Sequence, residues 1–182
     1  MAADDLVILL RGINVGAHKR MKMAELRELL QDAGFTGVRT LLQSGNVVAR
    51  ADLDEAAATT AVERAIADRL GFDVDVVVRT GAQLEAIIEA DPFGDEATDP
   101  KRYVVLFLTQ DADAGALKAI RGKDFAPEEF RGEGRELYVW CPDGLQKSPL
   151  NVALAHKRVA PVVTARNWST VLKLRDMVRA DG

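Results

Sequence analysis

The sequence predicts an α+β protein made of two consecutive ferredoxin-like halves that pack together, followed by an extra C-terminal helix. Short apolar segments with the two-residue period of strands alternate with segments whose apolar positions follow the period of a helix. Their order up to residue 95 is β-α-β-β-α-β, the ferredoxin-like order, and β-α-β-β-α recurs after it. Turn-forming residues between 91 and 100 separate the two runs, so we predict domains 1–95 and 96–182.

In the first half, apolar spacing and terminating residues predict the helices. Apolar positions between Met23 and Leu30 lie on one helical face, and Gly34 follows as a terminator. Gly71 closes a second, alanine-rich helix, and residues 43–45 between two short apolar runs predict a hairpin. The predicted elements are strands at 6–10, 38–42, 46–50 and 74–79, and helices at 23–33, 54–70 and 82–89.

In the second half, caps and turns predict the elements. Ser148 and Pro149 suit the cap and the first position of a helix, and Asn167 suits the cap of the final one. Residues 132–135 predict a hairpin turn. The predicted elements are strands at 102–108, 124–131 and 136–141, helices at 113–121, 149–158 and 168–179, and a short extended piece at 160–164.

Composition places the chain among globular proteins. Its 182 residues are 48% hydrophobic and 29% charged. The start of the chain has no basic region followed by an apolar one, and no apolar run approaches the roughly 20 residues that span a bilayer. We therefore expect a cytoplasmic protein with no membrane partner. The single cysteine, Cys141, excludes an internal disulfide, and with only His18 and His156 beside it we expect no metal and no cofactor.

Charge is segregated along the chain. The net charge is −4, yet residues 52–99 hold thirteen acids and three bases. Two segments contain bases and no acid: residues 6–24 and residues 144–175. Charge runs are often only solvated faces, and the alternative is that both basic segments contribute to one positive surface.

Three motifs are typical of a known family. They are Leu9–Gly16 (LLRGINVG), Leu42–Val48 (LQSGNVV) and Thr164–Thr170 (TARNWST). With them, the chain resembles the bacterial family catalogued as domain of unknown function 1697 over nearly its whole length. Ala17 stands where many members have a second glycine. The resemblance implies a two-part fold of ferredoxin-like halves and no assigned activity.

The glycine-containing loop after the first strand is suited to an anion. Its backbone N–H groups, and the helix that follows, could hold a phosphate, although the spacing fits neither a Walker loop nor G-x-G-x-x-G. The alternative is a structural turn in which Asn14 fixes backbone groups. The candidate ligand-binding residues here are Arg11, Gly12, Asn14, Gly16, Lys19 and Arg20.

Two further motifs carry polar groups. Gln43, Ser44 and Asn46 offer a hydroxyl and two amides, which could sort hydrogen-bonding ligands or simply stabilise the hairpin. Arg166, Asn167 and Trp168 combine a guanidinium that can bind an anion, a helix cap and a ring that can stack. The alternatives are that Arg166 forms an ion pair, that Asn167 only caps the helix, and that Trp168 packs in the core.

We therefore favour a protein that binds an anionic ligand, either a nucleic-acid backbone or a phosphorylated small molecule. One alternative is an enzyme acting on a small phosphate- or carboxylate-bearing substrate, with Ser44 and either His18 or Lys19 near the reacting atoms. Another is an interaction module whose acidic half meets a basic partner. Aromatic residues are only 5% of the chain and do not alternate with bases in any strand, which argues against an RNA-recognition-motif surface. The sequence leaves the oligomeric state open.

Overall fold

The computed structural model describes residues 4–180. Residues 1–3, on which the expectation about the start of the chain partly rests, lie outside the described residues. The structure divides into two compact units: the first extends to Glu85 and includes the chain again from Leu174, and the second is Ala86–Lys173. The domain boundary near residue 95 stays a prediction, because compactness alone does not show which segment folds by itself. No described helix is long and apolar enough to cross a bilayer.

The first unit is built on a four-stranded antiparallel sheet. Its elements are β1 (Asp4–Leu10), α1 (Met23–Asp32), β2 (Thr36–Leu41), β3 (Asn46–Ala51), α2 (Glu55–Leu70), β4 (Val76–Thr80) and the start of α3 (Gly81–Glu89), which leads into the second unit. The strand order is β2-β3-β1-β4. Asp54 caps α2 by accepting a hydrogen bond from the N–H of Ala57 at 2.8 Å, and Gly71 ends α2 with a left-handed φ of 73°.

The core of the first unit lies between one face of this sheet and α1 and α2. Leu6, Ile8 and Leu10 alternate along β1 toward this core, as the two-residue period of a strand requires. Leu26 of α1 and Ile66 of α2 are fully buried in the same cluster.

The second unit repeats the architecture. Its elements are β5 (Tyr103–Leu108), α4 (Ala114–Arg121), β6 (Glu129–Arg131), β7 (Glu136–Trp140), α5 (Pro149–Leu154), β8 (Val163–Asn167) and α6 (Trp168–Arg179), with short 3₁₀ helices at Gly94–Glu96 and Leu145–Lys147. The strand order is β6-β7-β5-β8, the same as in the first unit. The predicted α+β class with two ferredoxin-like halves and a C-terminal helix is confirmed.

Several element bounds differ from the prediction. The extended piece predicted at 160–164 is part of a sheet strand, β8, which pairs with β5 and completes the second half. Only Glu129–Arg131 of the strand predicted at 124–131 is strand, and α5 ends at Leu154 instead of continuing to Arg158. The two strand differences arise because pairing with distant β5 and β7, not local sequence, sets the strand bounds.

The pairs β1–β3 and β1–β4 of the first sheet have the same register as β5–β7 and β5–β8 of the second. In each unit the first strand, β1 or β5, pairs with the last strand of that unit. The N–H of the final residue of this first strand donates a hydrogen bond to the carbonyl oxygen of the residue before the third strand. The equivalent positions are Val7–Arg79 and Val105–Arg166 in the strand pairs, and Leu10 N–Gly45 O and Leu108 N–Arg135 O, both 2.9 Å, in the hydrogen bonds. The chain therefore contains a structural repeat that its residue identities do not show.

The connection after the first strand differs most in length between the two units. Residues 11–22 join β1 to α1, whereas residues 109–113 join β5 to α4 at the equivalent place. The hairpin turns 42–45 and 132–135 have the same length. Because the second unit makes the same connection with fewer than half as many residues, the shared topology does not by itself require the length of the first loop.

Candidate functional site

Two segments of the first unit lie side by side where β1 ends: the long loop (residues 11–22) and the hairpin turn (residues 42–45). The N–H of Leu10 donates to the carbonyl oxygen of Gly45 at 2.9 Å, and Nδ2 of Asn14 donates to the carbonyl oxygen of Gln43 at 2.7 Å. Two of the three predicted binding segments therefore form one surface, which we call the loop–hairpin surface.

Asn14 organises the long loop. Its Nδ2 also donates to the carbonyl oxygen of Met21 at 2.9 Å, and its Oδ1 accepts from the N–H of Met21 at 2.9 Å. Its backbone N–H donates to the carbonyl oxygen of Lys19 at 3.1 Å. The Asn14 side chain thus fixes backbone groups, which is the structural alternative to ligand contact that the sequence leaves open.

Left-handed backbone is concentrated on this surface. Among the described residues, the non-glycine residues with positive φ are Asn14, Lys19 and Leu42, at 55°, 51° and 61°. This conformation costs an L-residue roughly 1–2 kcal/mol, and such residues tend to cluster at functional sites. Gly12 and Gly16, both at 67°, adopt it without that cost.

Gly45 allows the hairpin turn to pack against the loop. A Cβ at this position would lie 2.8 Å from both Cδ1 of Ile13 and Cβ of Leu10, and the φ of Gly45 is 80°. Glycine is therefore required twice here, for space and for backbone conformation.

The long loop exposes positive charge. His18, Lys19, Arg20 and Lys22 are all exposed. Arg11 forms an ion pair with Asp75 at 3.0 Å, with its side chain 44% exposed. Two apolar side chains are exposed on the same surface, Val15 at 74% and Leu42 at 54%. The surface therefore combines exposed cations with two exposed apolar side chains.

The polar groups of the hairpin are partly engaged within the hairpin. Asn46 is fully buried, and its Nδ2 donates to the carbonyl oxygen of Leu41 at 2.9 Å and to Oγ of Ser44 at 3.1 Å. An amide donor cannot remove a proton from a hydroxyl, so this contact does not activate Ser44 as a nucleophile. The side chains of Gln43 and Ser44 are exposed.

The third predicted segment lies in the second unit. Nη1 of Arg166 donates to Oγ1 of Thr164 and to the carbonyl oxygen of Ala165, both at 2.8 Å, and burial lowers the pKa of Arg166 to about 10. Oδ1 of Asn167 accepts from the N–H of Thr170 at 3.1 Å, so Asn167 caps α6 as predicted. The ring of Trp168 stacks on that of Tyr103 with centroids 4.7 Å apart.

A buried arginine equivalent to Arg166 was missed from the sequence. Arg79 is 1% exposed, donates to the carbonyl oxygen of Val78 at 2.7 Å, and lies 3.7 Å from a carboxylate oxygen of Glu55. A usable signal existed: in each unit an arginine is the next-to-last residue of the last strand and precedes a residue that caps a helix. Thr80 does so by a reciprocal pair of hydrogen bonds with Gln83, at 2.8 and 3.2 Å.

Cys141 has the environment of a core residue. It is fully buried, and its Sγ donates to Oγ of Ser148 at 3.4 Å. Burial raises the pKa of the thiol, which disfavours the reactive thiolate. Within residues 4–180, no group of three or more His, Cys, Asp or Glu side chains is arranged to hold a metal ion.

Comparison with known families accounts for most of the chain. A family model described as "Protein of unknown function (DUF1697)" matches residues 4–138. The chain belongs to the DUF1697 family. The DUF1697 match includes the whole loop–hairpin surface and ends before Arg166.

A solved structure shares the fold. The conserved bacterial protein SP0830 from Streptococcus pneumoniae superposes with a TM-score of 0.75 at 24% sequence identity, over 97% of this chain and 99% of that one. At this identity the likeness is one of fold. No curated protein matches the sequence. The function of this DUF1697 protein must therefore be argued from its own site.

Proposed function

We propose that the protein binds an anionic ligand, a nucleic-acid backbone or a phosphorylated metabolite, at the loop–hairpin surface. The observation that carries this proposal is the long loop itself. The second unit makes the equivalent connection with residues 109–113, so the shared topology alone does not account for the length of residues 11–22. The exposed bases of the first unit's acid-free segment lie in this additional length.

Electrostatics favour an anion at this surface. Residues 6–24 contain no acid, and the carboxylate of Asp75 beside Arg11 leaves the charges of Lys19, Arg20 and Lys22 in place. The loop also leads into the N-terminus of α1, where the helix dipole is positive. Lys22, which precedes α1, has no side-chain oxygen with which to cap that terminus. Lysine and arginine side chains on such a loop are typical phosphate contacts.

The hydrogen bond that Ser44 accepts favours binding over catalysis with Ser44 as the nucleophile. Ser44 accepts a hydrogen bond from the Asn46 amide, and neither amide of the hairpin can act as a general base. The proposal rests on the residues of the first unit alone, because Arg166, Asn167 and Trp168 have hydrogen-bonding and stacking roles in the second unit.

The test is a binding titration of labelled single- and double-stranded oligonucleotides followed by fluorescence anisotropy. The variant is Lys19→Asn with Arg20→Gln, because asparagine tolerates the left-handed backbone that Lys19 adopts. The matched control is Lys101→Gln with Lys173→Gln, which removes the same charge from exposed positions elsewhere.

We expect the loop variant to weaken binding by about tenfold or more and the control to leave it unchanged. The slope of log K against log salt concentration should become shallower by roughly 0.7–0.9 for each phosphate contact that is lost. If oligonucleotides do not bind at low salt, or if their affinity does not change with salt concentration, the ligand is not a nucleic-acid backbone. Amide chemical shifts of residues 11–22 titrated with inorganic phosphate then test the metabolite form. If those shifts also stay constant, the proposal is wrong.

A further inference from the structure

A groove of about 330 Å³ lies between α4 and α5 in the second unit. Its apolar lining includes Ile120, Val152 and Val159. The basic residues at its rim are Lys123, His156 and Arg158, all exposed. We call it the basic groove.

The basic groove has the charge and the apolar surface of a docking site. Val152 is 71% exposed although it is a large apolar residue. The segment that supplies α5 and the rim residues His156 and Arg158 belongs to residues 144–175, which contain no acid. Oδ1 of Asp124, next to Lys123, accepts a backbone hydrogen bond from Ala126 at 3.0 Å. An occupant should therefore present an apolar side chain flanked by acids.

The chain itself carries such a segment in its first unit. Leu53 is 37% exposed and stands between Asp52 and Asp54, both exposed. This tripeptide begins the acid-rich stretch 52–99. Among the described residues four large apolar side chains are exposed; Val15 and Leu42 belong to the loop–hairpin surface, and the other two are Leu53 and Val152.

We infer that the basic groove receives the Asp52-Leu53-Asp54 segment of a second copy of the chain. Leu53 covers Val152 and the apolar lining, while Asp52 and Asp54 face Lys123 and Arg158. Charge pairs at the rim of a contact mainly set specificity and salt dependence, and the apolar contact holds the pair together. In a two-fold dimer the same contact forms twice, once in each direction. This inference is independent of the proposed anion binding.

A charge exchange tests this contact. The groove variant is Lys123→Glu with Arg158→Glu. The segment variant is Asp52→Lys with Asp54→Ser, in which serine keeps a capping oxygen for α2. Each variant alone sets like charges against each other, whereas a mixture of the two makes both contacts attractive again.

The measurement is sedimentation velocity of the full chain over a range of concentrations. We expect the wild type to self-associate, each variant alone to be monomeric, and the equimolar mixture to associate again. Raising the salt from about 0.05 M to about 0.5 M should weaken wild-type association several-fold, because charges at an exposed rim are screened. Leu53→Ser should also abolish association, and Val15→Ser is its control.

Other outcomes overturn the inference. A wild type that stays monomeric at high concentration excludes the contact. Association that survives in both charge variants, or a mixture that fails to restore it, assigns the interface to another face. Circular dichroism of each variant checks that it is folded, and Leu53→Ser gives an independent answer if a charge variant is not.

Discussion

Asn14 combines two properties that few residues share. Its side chain bonds Met21 and Gln43 while its backbone is left-handed. Asparagine adopts this conformation more readily than most residues, and its amide both donates and accepts. Asn14 is therefore required in the long loop whether or not its amide also contacts a ligand.

Replacing Asn14 should separate these two properties. Asn14→Gly and Asn14→Ala both lose the side-chain hydrogen bonds, which we expect to lower the free energy of unfolding by about 1–3 kcal/mol. Asn14→Ala should lose about a further 1 kcal/mol, because alanine is strained in the left-handed region and glycine is not. Urea denaturation of the three proteins measures both effects. Equal stability of the two variants would show that backbone conformation does not matter here.

The last strand of each unit ends in a helix cap, at equivalent positions of the repeat. Thr80 caps α3 and Asn167 caps α6. Asn167 also accepts from Oγ1 of Thr170 at 2.7 Å. A cap satisfies N–H groups that the helix leaves unpaired, so this position stabilises the turn from sheet to helix in both units.

Substitution of Asn167 should affect stability more than binding. Asn167→Ala is expected to lower the free energy of unfolding by about 1 kcal/mol, whereas Asn167→Asp keeps an accepting oxygen and should be close to the wild type. Thermal denaturation compares the two. Both variants should bind oligonucleotides as the wild type does; a loss of affinity in the folded Asn167→Asp protein would instead place Asn167 in the anion site.

Elements fixed by local pattern were predictable from the sequence, and those fixed by distant partners were not. The helix over 54–70 was predicted closely because its alanine content and apolar spacing are local signals and Gly71 marks its end. β8 was missed as a sheet strand because its pairing with β5 joins residues far apart in sequence. Leu42 was predicted as strand because it is apolar, yet it occupies the turn with φ of 61°.

The position of the long loop was predictable from the sequence, but its geometry was not. Glycines and bases after a strand indicate a special loop, and they lie where expected. No pattern shows that the Asn14 amide reaches the carbonyl oxygen of Gln43, because this contact depends on how the loop folds back. Arg79 was missed because its burial depends on the sheet, and an arginine in a strand otherwise suggests an exposed position.

At the scale of the whole molecule, the end of the chain returns to the first unit. Leu174 is fully buried, and the carbonyl oxygen of Met177 accepts from Nη2 of Arg39 at 2.6 Å. Arg179 forms an ion pair with Glu85 at 2.7 Å. Residues from both ends of the sequence therefore stabilise the same unit.

Truncation tests this dependence. A chain ending at Lys173 should lose amide protection in the first unit, at residues 36–41 and 81–85, more than at residues 103–108 of the second. The control ends at Ala180 and should match the full chain. Hydrogen exchange followed by mass spectrometry resolves these segments. Equal loss of protection in both units would show that the C-terminal segment stabilises the protein as a whole.

The hydrogen bonds of Asn14 have a consequence for the rate and strength of any association at the long loop. A mobile loop must lose conformational entropy when it captures a ligand, at roughly 1–2 kcal/mol for each residue that becomes ordered. Here the bonds from Asn14 to Lys19, Met21 and Gln43 form as the chain folds, so that entropy is lost before any ligand arrives. Capture should then need no slow rearrangement, and long-range attraction to Lys19 and Arg20 should govern its rate.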